Sequence, residues 1–298
     1  MRKAPALAAS VAAFLIAALA PSPALAWGTA AHRYIMRRAI DLLPAEIRPF
    51  FVHFRDELVL RVVDPDVWRS AGWEDDPNHF LDFGVKEFGD YPFTALPREY
   101  GAAIEKFGMA TLKRDGLLPW REAEEFGSLR RAFEGFKREG GFAPADTVLF
   151  AAAASHYIQD AHQPLHASNN YDGQLTGQAG VHSRFESALF DRFESRLTIN
   201  PAAPTPITNA RDAAFDALLA SYQLVQPLLD ADKAAIAGKD TYDDEYFERF
   251  LASVKPMLEK RISDSITATA SVIAGAWEAA GKPEVRTEMP RTVQKVRK

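Results

Sequence analysis

The sequence predicts an all-α fold, a single multi-helix domain with long functional loops. Apolar residues recur at helical spacing through most of the chain. Patterns that alternate as strands do are nearly absent. No repeat, low-complexity linker or shift of composition divides the chain into two units.

Residues 1–26 stand ahead of that domain. They hold Arg2 and Lys3, an apolar run from Ala4 to Ala20, the breaker Pro21-Ser22-Pro23 and the small-residue triplet Ala24-Leu25-Ala26. That order reads as a secretory signal peptide cleaved after Ala26. The apolar run is shorter than the roughly 20 residues that cross a bilayer, so no transmembrane anchor is expected. The mature protein would be secreted or periplasmic and would begin at Trp27.

From Ala30 onward, Tyr34, Ile35, Ala39, Ile40 and Leu43 recur at helical spacing behind a possible N-cap at Thr29 and stop near Pro44. The domain, 27–281, therefore opens with a helix. Further helices are predicted over 100–112, 123–136, 146–161, 182–197, 211–229 and 244–280. Segments 64–97 and 163–180, the latter with Asn169-Asn170-Tyr171-Asp172-Gly173, are rich in turn formers. Loops of that length in a helical domain are usually functional. Residues 282–298, with Lys282, Arg286, Arg291, Lys295, Arg297 and Lys298, read as a basic, flexible tail.

The full chain carries 35 basic and 40 acidic residues; loss of Arg2 and Lys3 with the signal leaves 33 against 40, a net charge of −7. An acidic surface argues against non-specific binding of nucleic acid or anionic membrane, which depends on Lys and Arg neutralising phosphate. It leaves room for a local site that grips one phosphate. There is no cysteine, so stability comes from the core and any metal must be held by nitrogen and oxygen donors.

Five of the seven histidines fall into short patterns with carboxylates or with the new N-terminus. The i, i+4 spacing puts His156 and Asp160 on one helix face, where they can share a metal pocket. Pro164 stops that helix, so His166 arrives on the following loop. His182 and Glu186 repeat the spacing, and with His166 they make a three-ligand set that would leave a zinc ion one open position. His79 lies in Asp76-Pro77-Asn78-His79-Phe80-Leu81-Asp82, where a polar approach meets an apolar run. Signal removal would give Trp27 a free amine able to chelate a metal with its own carbonyl, beside a helix carrying His32. His53 and His162 complete no such pattern.

Together, Trp27-Gly28 followed by His32, Asp66 before Trp68-Arg69, His79-Phe80-Leu81-Asp82, His156-x-x-x-Asp160, Gln163-Pro164-Leu165-His166 and His182-x-x-x-Glu186 resemble a known superfamily. It is the three-zinc superfamily that joins bacterial zinc-dependent phospholipase C to the fungal and plant single-strand-specific nucleases. The resemblance runs from Trp27 to about Glu186 and implies three zinc ions. The first would be held by Asp66, His79, His156 and Asp160, and the second by His166, His182 and Glu186. The third would take the Trp27 amine and carbonyl, His32 and the other oxygen of Asp160. A hydroxide bridging the first and third ions would attack a phosphodiester in line, with Asp66 orienting it or accepting its proton. Asp64 is the alternative to Asp66; the nuclease pattern, with a basic residue three positions on, favours Asp66 through Arg69. Arg69 would contact a substrate phosphate and Asp82 would hydrogen-bond the substrate.

The two branches of the superfamily pull in different directions. Glu186 is the phospholipase C choice of last ligand, whereas the five-residue step from Trp27 to His32 and Arg69 are nuclease-like. Val67 and Asp76 stand where a choline pocket would have aromatics. Trp68, Trp73, Phe80 and Tyr171 are loop aromatics that could stack bases. Glu186 and the cysteine-free chain tip the sequence slightly towards a phospholipase C-like phosphodiesterase. A single-strand endonuclease with 3'-nucleotidase activity is the main alternative, and a non-catalytic secreted zinc-binding protein is a third. The expected partner is a phosphodiester substrate, a phospholipid head group or single-stranded nucleic acid; no protein partner is inferred.

Overall fold

A computed structural model describes residues 27–138 and 142–289. The expected signal segment and its cleavage point at Ala26, and residues 290–298 of the expected tail, lie outside the described residues. The all-α class is observed: among the described residues the only β feature is an isolated bridge between Phe83 and Ser168. No helix there is long and apolar enough to cross a membrane.

Helix α1 (Thr29–Leu42) buries Ala31, His32, Ile35, Met36, Ala39 and Ile40; of the stripe read from the sequence, Ile35, Ala39, Ile40 and Leu43 are buried and Tyr34 only partly so. Thr29 is its first helical residue and not its cap. The cap position is held by Gly28, whose carbonyl accepts from the N–H groups of Ala31 at 2.7 Å and His32 at 3.2 Å. A side chain at Gly28 would collide with Ser187. The absence of a Cβ therefore lets the chain entry lie against the distant segment that carries Glu186.

Three short helices follow: α2 (Arg48–His53), α3 (Arg55–Arg61) and α4 (Asp64–Ser70). None was read from the sequence, and 64–70 was expected to be loop. Six or seven residues are too few to display a period, while Pro49 and Pro65 sit in first turns, where a missing N–H costs nothing. Helices α5 (Tyr100–Phe107) and α6 (Met109–Asp115) replace the single helix expected over 100–112, broken at Gly108 with φ 79°. Then come α7 (Leu118–Gly135) and α8 (Ala143–Asp160). The helix expected over 182–197 is interrupted, running as α9 (Val181–Ser183), a π-helical segment Arg184–Ala188 and α10 (Leu189–Phe193). Helices α11 (Ala210–Tyr222) and α12 (Val225–Ile236) divide what was read as 211–229, and α13 (Asp244–Ala279) closes the fold. The start of the expected tail is docked: the carbonyl of buried Pro283 accepts the Trp277 indole N–H at 2.9 Å, and Val285 packs on the core.

Helix α8 is shared by two hydrophobic clusters. Val148, Ala151 and Ala152 belong to the one formed with α1, α3 and α13; Ala154, Ile158 and Ala161 belong to the one formed with residues 81–96, α7 and α11. Apolar nearly all round, α8 is a buried helix. Its last two turns nevertheless carry His156, Gln159 and Asp160, each 0% exposed. Polar groups sealed between two cores must find partners there.

Candidate metal centre

Several elements converge on the end of α8. His156 and Asp160 come from α8 itself, His32 from α1, Asp66 from α4 and His79 from the 3-10 turn Asp76–His79. His166 comes from the 3-10 turn Pro164–Ala167, His182 from α9 and Glu186 from the π-helical segment, a helix defect often found at functional sites. All eight residues are buried, none more than 5% exposed. They form three groups whose ligand atoms lie within 4.8 Å of one another: His32, His156 and Asp160; Asp66, His79 and His156; His166, His182 and Glu186. These buried groups could hold metal ions.

Asp160 stands at the junction. Its Oδ1 is 3.3 Å from His32 Nε2 and 3.8 Å from His166 Nδ1, and its Oδ2 is 3.0 Å from His79 Nδ1 and 3.3 Å from His156 Nε2. Asp66 Oδ1 is 3.9 Å from His79 Nδ1 and 4.0 Å from His156 Nε2. Asp64, the other candidate, is turned to Arg61 at 3.3 Å. In the third group, His182 Nε2 lies 2.9 Å from Glu186 Oε2 and 3.2 Å from His166 Nε2.

Each histidine commits its outer nitrogen to an acceptor. Nδ1 of His32 meets Gln159 Oε1 at 2.6 Å, Nδ1 of His156 the Val62 carbonyl at 2.8 Å, Nδ1 of His166 the His79 carbonyl at 2.6 Å, and Nδ1 of His182 the Tyr171 carbonyl at 2.8 Å. His79 is reversed: its Nε2 meets Asp75 Oδ2 at 3.0 Å. Carbonyl and carboxylate oxygens only accept, so the outer nitrogen carries the proton in every case. In the neutral ring, the inner nitrogen is then a bare lone pair.

With the rings neutral, as metal binding requires, those lone pairs would face one another. His79 Nδ1 and His156 Nε2 are 3.1 Å apart, and His166 Nε2 and His182 Nε2 are 3.2 Å apart. Two lone pairs at that distance repel unless something positive lies between or beside them. Zn–N bonds of about 2.0–2.1 Å in a tetrahedron put neighbouring nitrogens about 3.3 Å apart, so the spacing fits a shared cation. Orphan acceptors point the same way: buried Asp160 Oδ1, both Asp66 oxygens and His32 Nε2 have no hydrogen-bond partner, although such groups are normally paired. In the His166 group, the Gln163 amide nitrogen approaches the free valences, 2.9 Å from His182 Nε2 and 3.0 Å from Glu186 Oε2.

Without metal, protons hold the centre together. Burial would lower the pKa of His79, but hydrogen bonds to Asp160 and Asp75 override it and raise it to about 9. Asp75 would be raised by burial, yet the hydrogen bonds of His79 and Asn78 take it down to about 2. Burial pushes His166 down to about 3, so it stays neutral beside His182.

A cleft of about 380 Å³ opens over the His79, His166 and His182 rings, walled by Arg69, Arg114, Phe80, Tyr171 and Asp82. Asp82 is thus beside the centre, and burial with the nearby Asp115 and Asp76 carboxylates pushes its pKa up to about 8. Arg69 lies 3.8 Å from Asp66 and 3.5 Å from Asp76. Trp27, fully buried, donates its indole N–H to the Gln159 carbonyl at 2.9 Å, so Gln159 holds both Trp27 and His32. Trp68 and Trp73 stack on each other in a different cavity. His53 is exposed, and His162 donates to the Ile158 carbonyl at 2.8 Å; neither joins the centre. Sequence reading missed Asp75, Gln159, Gln163 and Arg114 as parts of the site. Asp75 and His79 have the same i, i+4 spacing that singled out His156 and Asp160, so that one signal was present.

Fold and site together define an all-α protein with buried His/Asp/Glu clusters able to hold metal ions. Compared with known proteins, the chain matches no family model and no curated protein.

Proposed function

We propose that this chain is a zinc-dependent phosphodiester hydrolase with three metal positions. Asp66, His79, His156 and Asp160 would hold the first ion, and His166, His182 and Glu186 the second. His32, Asp160 and the amine and carbonyl of a processed Trp27 would hold the third. What supports this most is the pair of facing imidazole contacts, at 3.1 and 3.2 Å, with every outer nitrogen already committed. Bound ions would supply Lewis-acid activation of water and of phosphoryl oxygens.

The protein's own groups would do the rest. Asp66, whose oxygens accept no hydrogen bond, would take the proton of the attacking water. Arg69 and Arg114 in the cleft wall would hold phosphate oxygens, Arg69 from beside Asp66. Asp82, in the same wall, would hydrogen-bond the substrate. Export with cleavage after Ala26 belongs to the same proposal, since it frees the Trp27 amine.

The cleft favours a nucleotide phosphodiester. Two arginines and the rings of Phe80 and Tyr171 suit phosphates and a planar base better than a quaternary ammonium, which needs an aromatic cage with an anion. The phospholipase C-like reading is supported by Glu186 and is the second candidate. Zinc-loaded protein cleaved to start at Trp27 would be given single-stranded DNA and RNA, a phospholipid panel and an activated bis-aryl phosphodiester. Release of nucleotides without phosphorylated head groups is expected. Head-group release alone would replace the first reading with the second, and inertness towards all three would leave a zinc-binding protein without catalysis.

A further inference from the structure

Of the five inward-facing histidines, His79 is the only one that offers Nδ1 to the centre and the only one backed by a charged acceptor. A ring presented through Nδ1 brings its own backbone close to the centre, so its orientation depends heavily on what stands behind it. Asp75, one turn earlier in the chain and 6% exposed, stands there. It is itself fixed from three sides. Tyr157 donates its hydroxyl to Asp75 Oδ2 at 2.9 Å, and the Asn78 amide donates to Oδ1 at 2.8 Å. Arg121 Nη2 lies 3.9 Å from Oδ1. That guanidinium is held in turn by Glu125 at 3.0 Å and over the Tyr157 ring at 5.3 Å.

We infer that Asp75 is the positioning residue of the first metal position. Gripped by Tyr157 and Asn78, it locks the His79 ring as the Nε2–H tautomer and aims the Nδ1 lone pair at Asp66, His156 and Asp160. A carboxylate accepting the far proton of a metal-binding imidazole also strengthens the donor nitrogen. The other four histidines are held by neutral carbonyl or amide oxygens, so this effect is confined to one position. The inference rests on the metal reading above but not on any substrate.

Three variants test it: Asp75→Ala, which removes the acceptor; Asp75→Asn, which can still accept from Nε2–H but without charge; and Tyr157→Phe, which removes one grip on Asp75. Zinc affinity is read by competition with a chelator of known strength, and the His79 ring by its ¹⁵N shifts in the zinc-loaded protein. Expected is a loss of about 10–100-fold in affinity at one of the positions for Asp75→Ala, with the His79 signals displaced and the other positions unchanged. Smaller losses at the same position are expected for Asp75→Asn and Tyr157→Phe. Three zinc ions bound to Asp75→Ala as tightly as to the parent would overturn the inference. So would an equal weakening of all positions alongside a fall in the melting temperature of the zinc-free protein, which would mark a merely structural role. If the parent binds three zinc ions but cleaves no phosphodiester, the hydrolase reading falls and this one stands. If it takes no zinc at His79, both fall.

Discussion

The centre has two halves, built in different ways. Around Asp160, the donors come from α1, α4 and α8 and the turn bearing His79, and one carboxylate touches His32, His79 and His156 within 3.3 Å. Around Glu186, the donors come from a turn and an interrupted helix, and no carboxylate is shared with the other half within hydrogen-bonding distance. The first half sits at the seam between two cores. The second depends on a clamp outside it. Arg184, between His182 and Glu186 in sequence, donates to Asp232 at 3.0 and 3.1 Å and to the Gln178 and Ala179 carbonyls at 3.0 and 2.9 Å. Tyr246 also donates to Asp232. If metal binds as proposed, Asp160 would couple the positions of the first half, whereas the second would stand apart behind its remote clamp.

The sharpest break of that comparison is Asp160→Asn. If the centre holds the three zinc ions proposed, loss of the common carboxylate should remove two of them by elemental analysis and lower any phosphodiester turnover by a factor on the order of 10³ or more. Glu186→Gln should remove one. Equal stoichiometries in the two variants would mean that Asp160 is not shared. Next comes Asp232→Ala, which strands a nearly buried Arg184 (8% exposed). Loss of one partner of a buried pair costs about 3–5 kcal/mol, so urea unfolding should show a shift of that order, with His166-group zinc weakened most. A shift below about 1 kcal/mol would remove the clamp from the account.

The contrast between halves also explains what the sequence disclosed. The His156/Asp160 and His182/Glu186 pairs were legible because one helical turn fixes side chains on one face whatever the tertiary context. Asp66 was legible as a candidate but its helix was not, since seven residues opening on Asp64-Pro65 show no period. Gln159 and Gln163 were hidden for another reason. An amide next to a histidine motif has no distinctive spacing, and its role depends on which way a buried ring turns. The Arg184–Asp232 clamp, 48 residues apart in sequence, could not be read from local pattern at all. Helix α13, read as 244–280, runs Asp244–Ala279, and α8, read as 146–161, starts three residues earlier at Ala143 and ends at Asp160, whereas the breaks at Gly108 and near Gln223 were absorbed into longer predictions.

Gly28 ties the two halves together, because its bare Cα lies against Ser187 next to Glu186. Gly28→Ala should therefore disturb both the Trp27–His32 entry and the π-helical segment. A loss of about 1–3 kcal/mol in stability is expected, the range for overpacking a close contact, with partial recovery in Gly28→Ala/Ser187→Gly. Stability unchanged by Gly28→Ala would show that the entry segment can move away from Glu186 freely.

The smallest expected effect is a pH dependence in the cleft wall. Asp82 titrates near its ordinary value of 3.8 when unfolded but near 8 in the fold, raised first by burial and then by Asp115 and Asp76. Between those values the folded protein keeps a proton that the unfolded chain has lost. Stability from this group is therefore complete below about pH 4 and drains away as pH rises towards 8. Asp82→Asn has no such proton to lose. In zinc-free protein, the variant should gain on the parent progressively across that window and hold a constant lead above it, by about 1–2 kcal/mol once solvent screening at the cleft is allowed for. Cations bound beside His79 and His182 would favour the Asp82 carboxylate and draw its pKa down. Zinc loading should then narrow the gap, and more so when the Glu186 half is filled, because His182 already pulls on Asp82 in that direction. A gap that ignores zinc would separate Asp82 electrostatically from the centre and confine its role to the cleft wall.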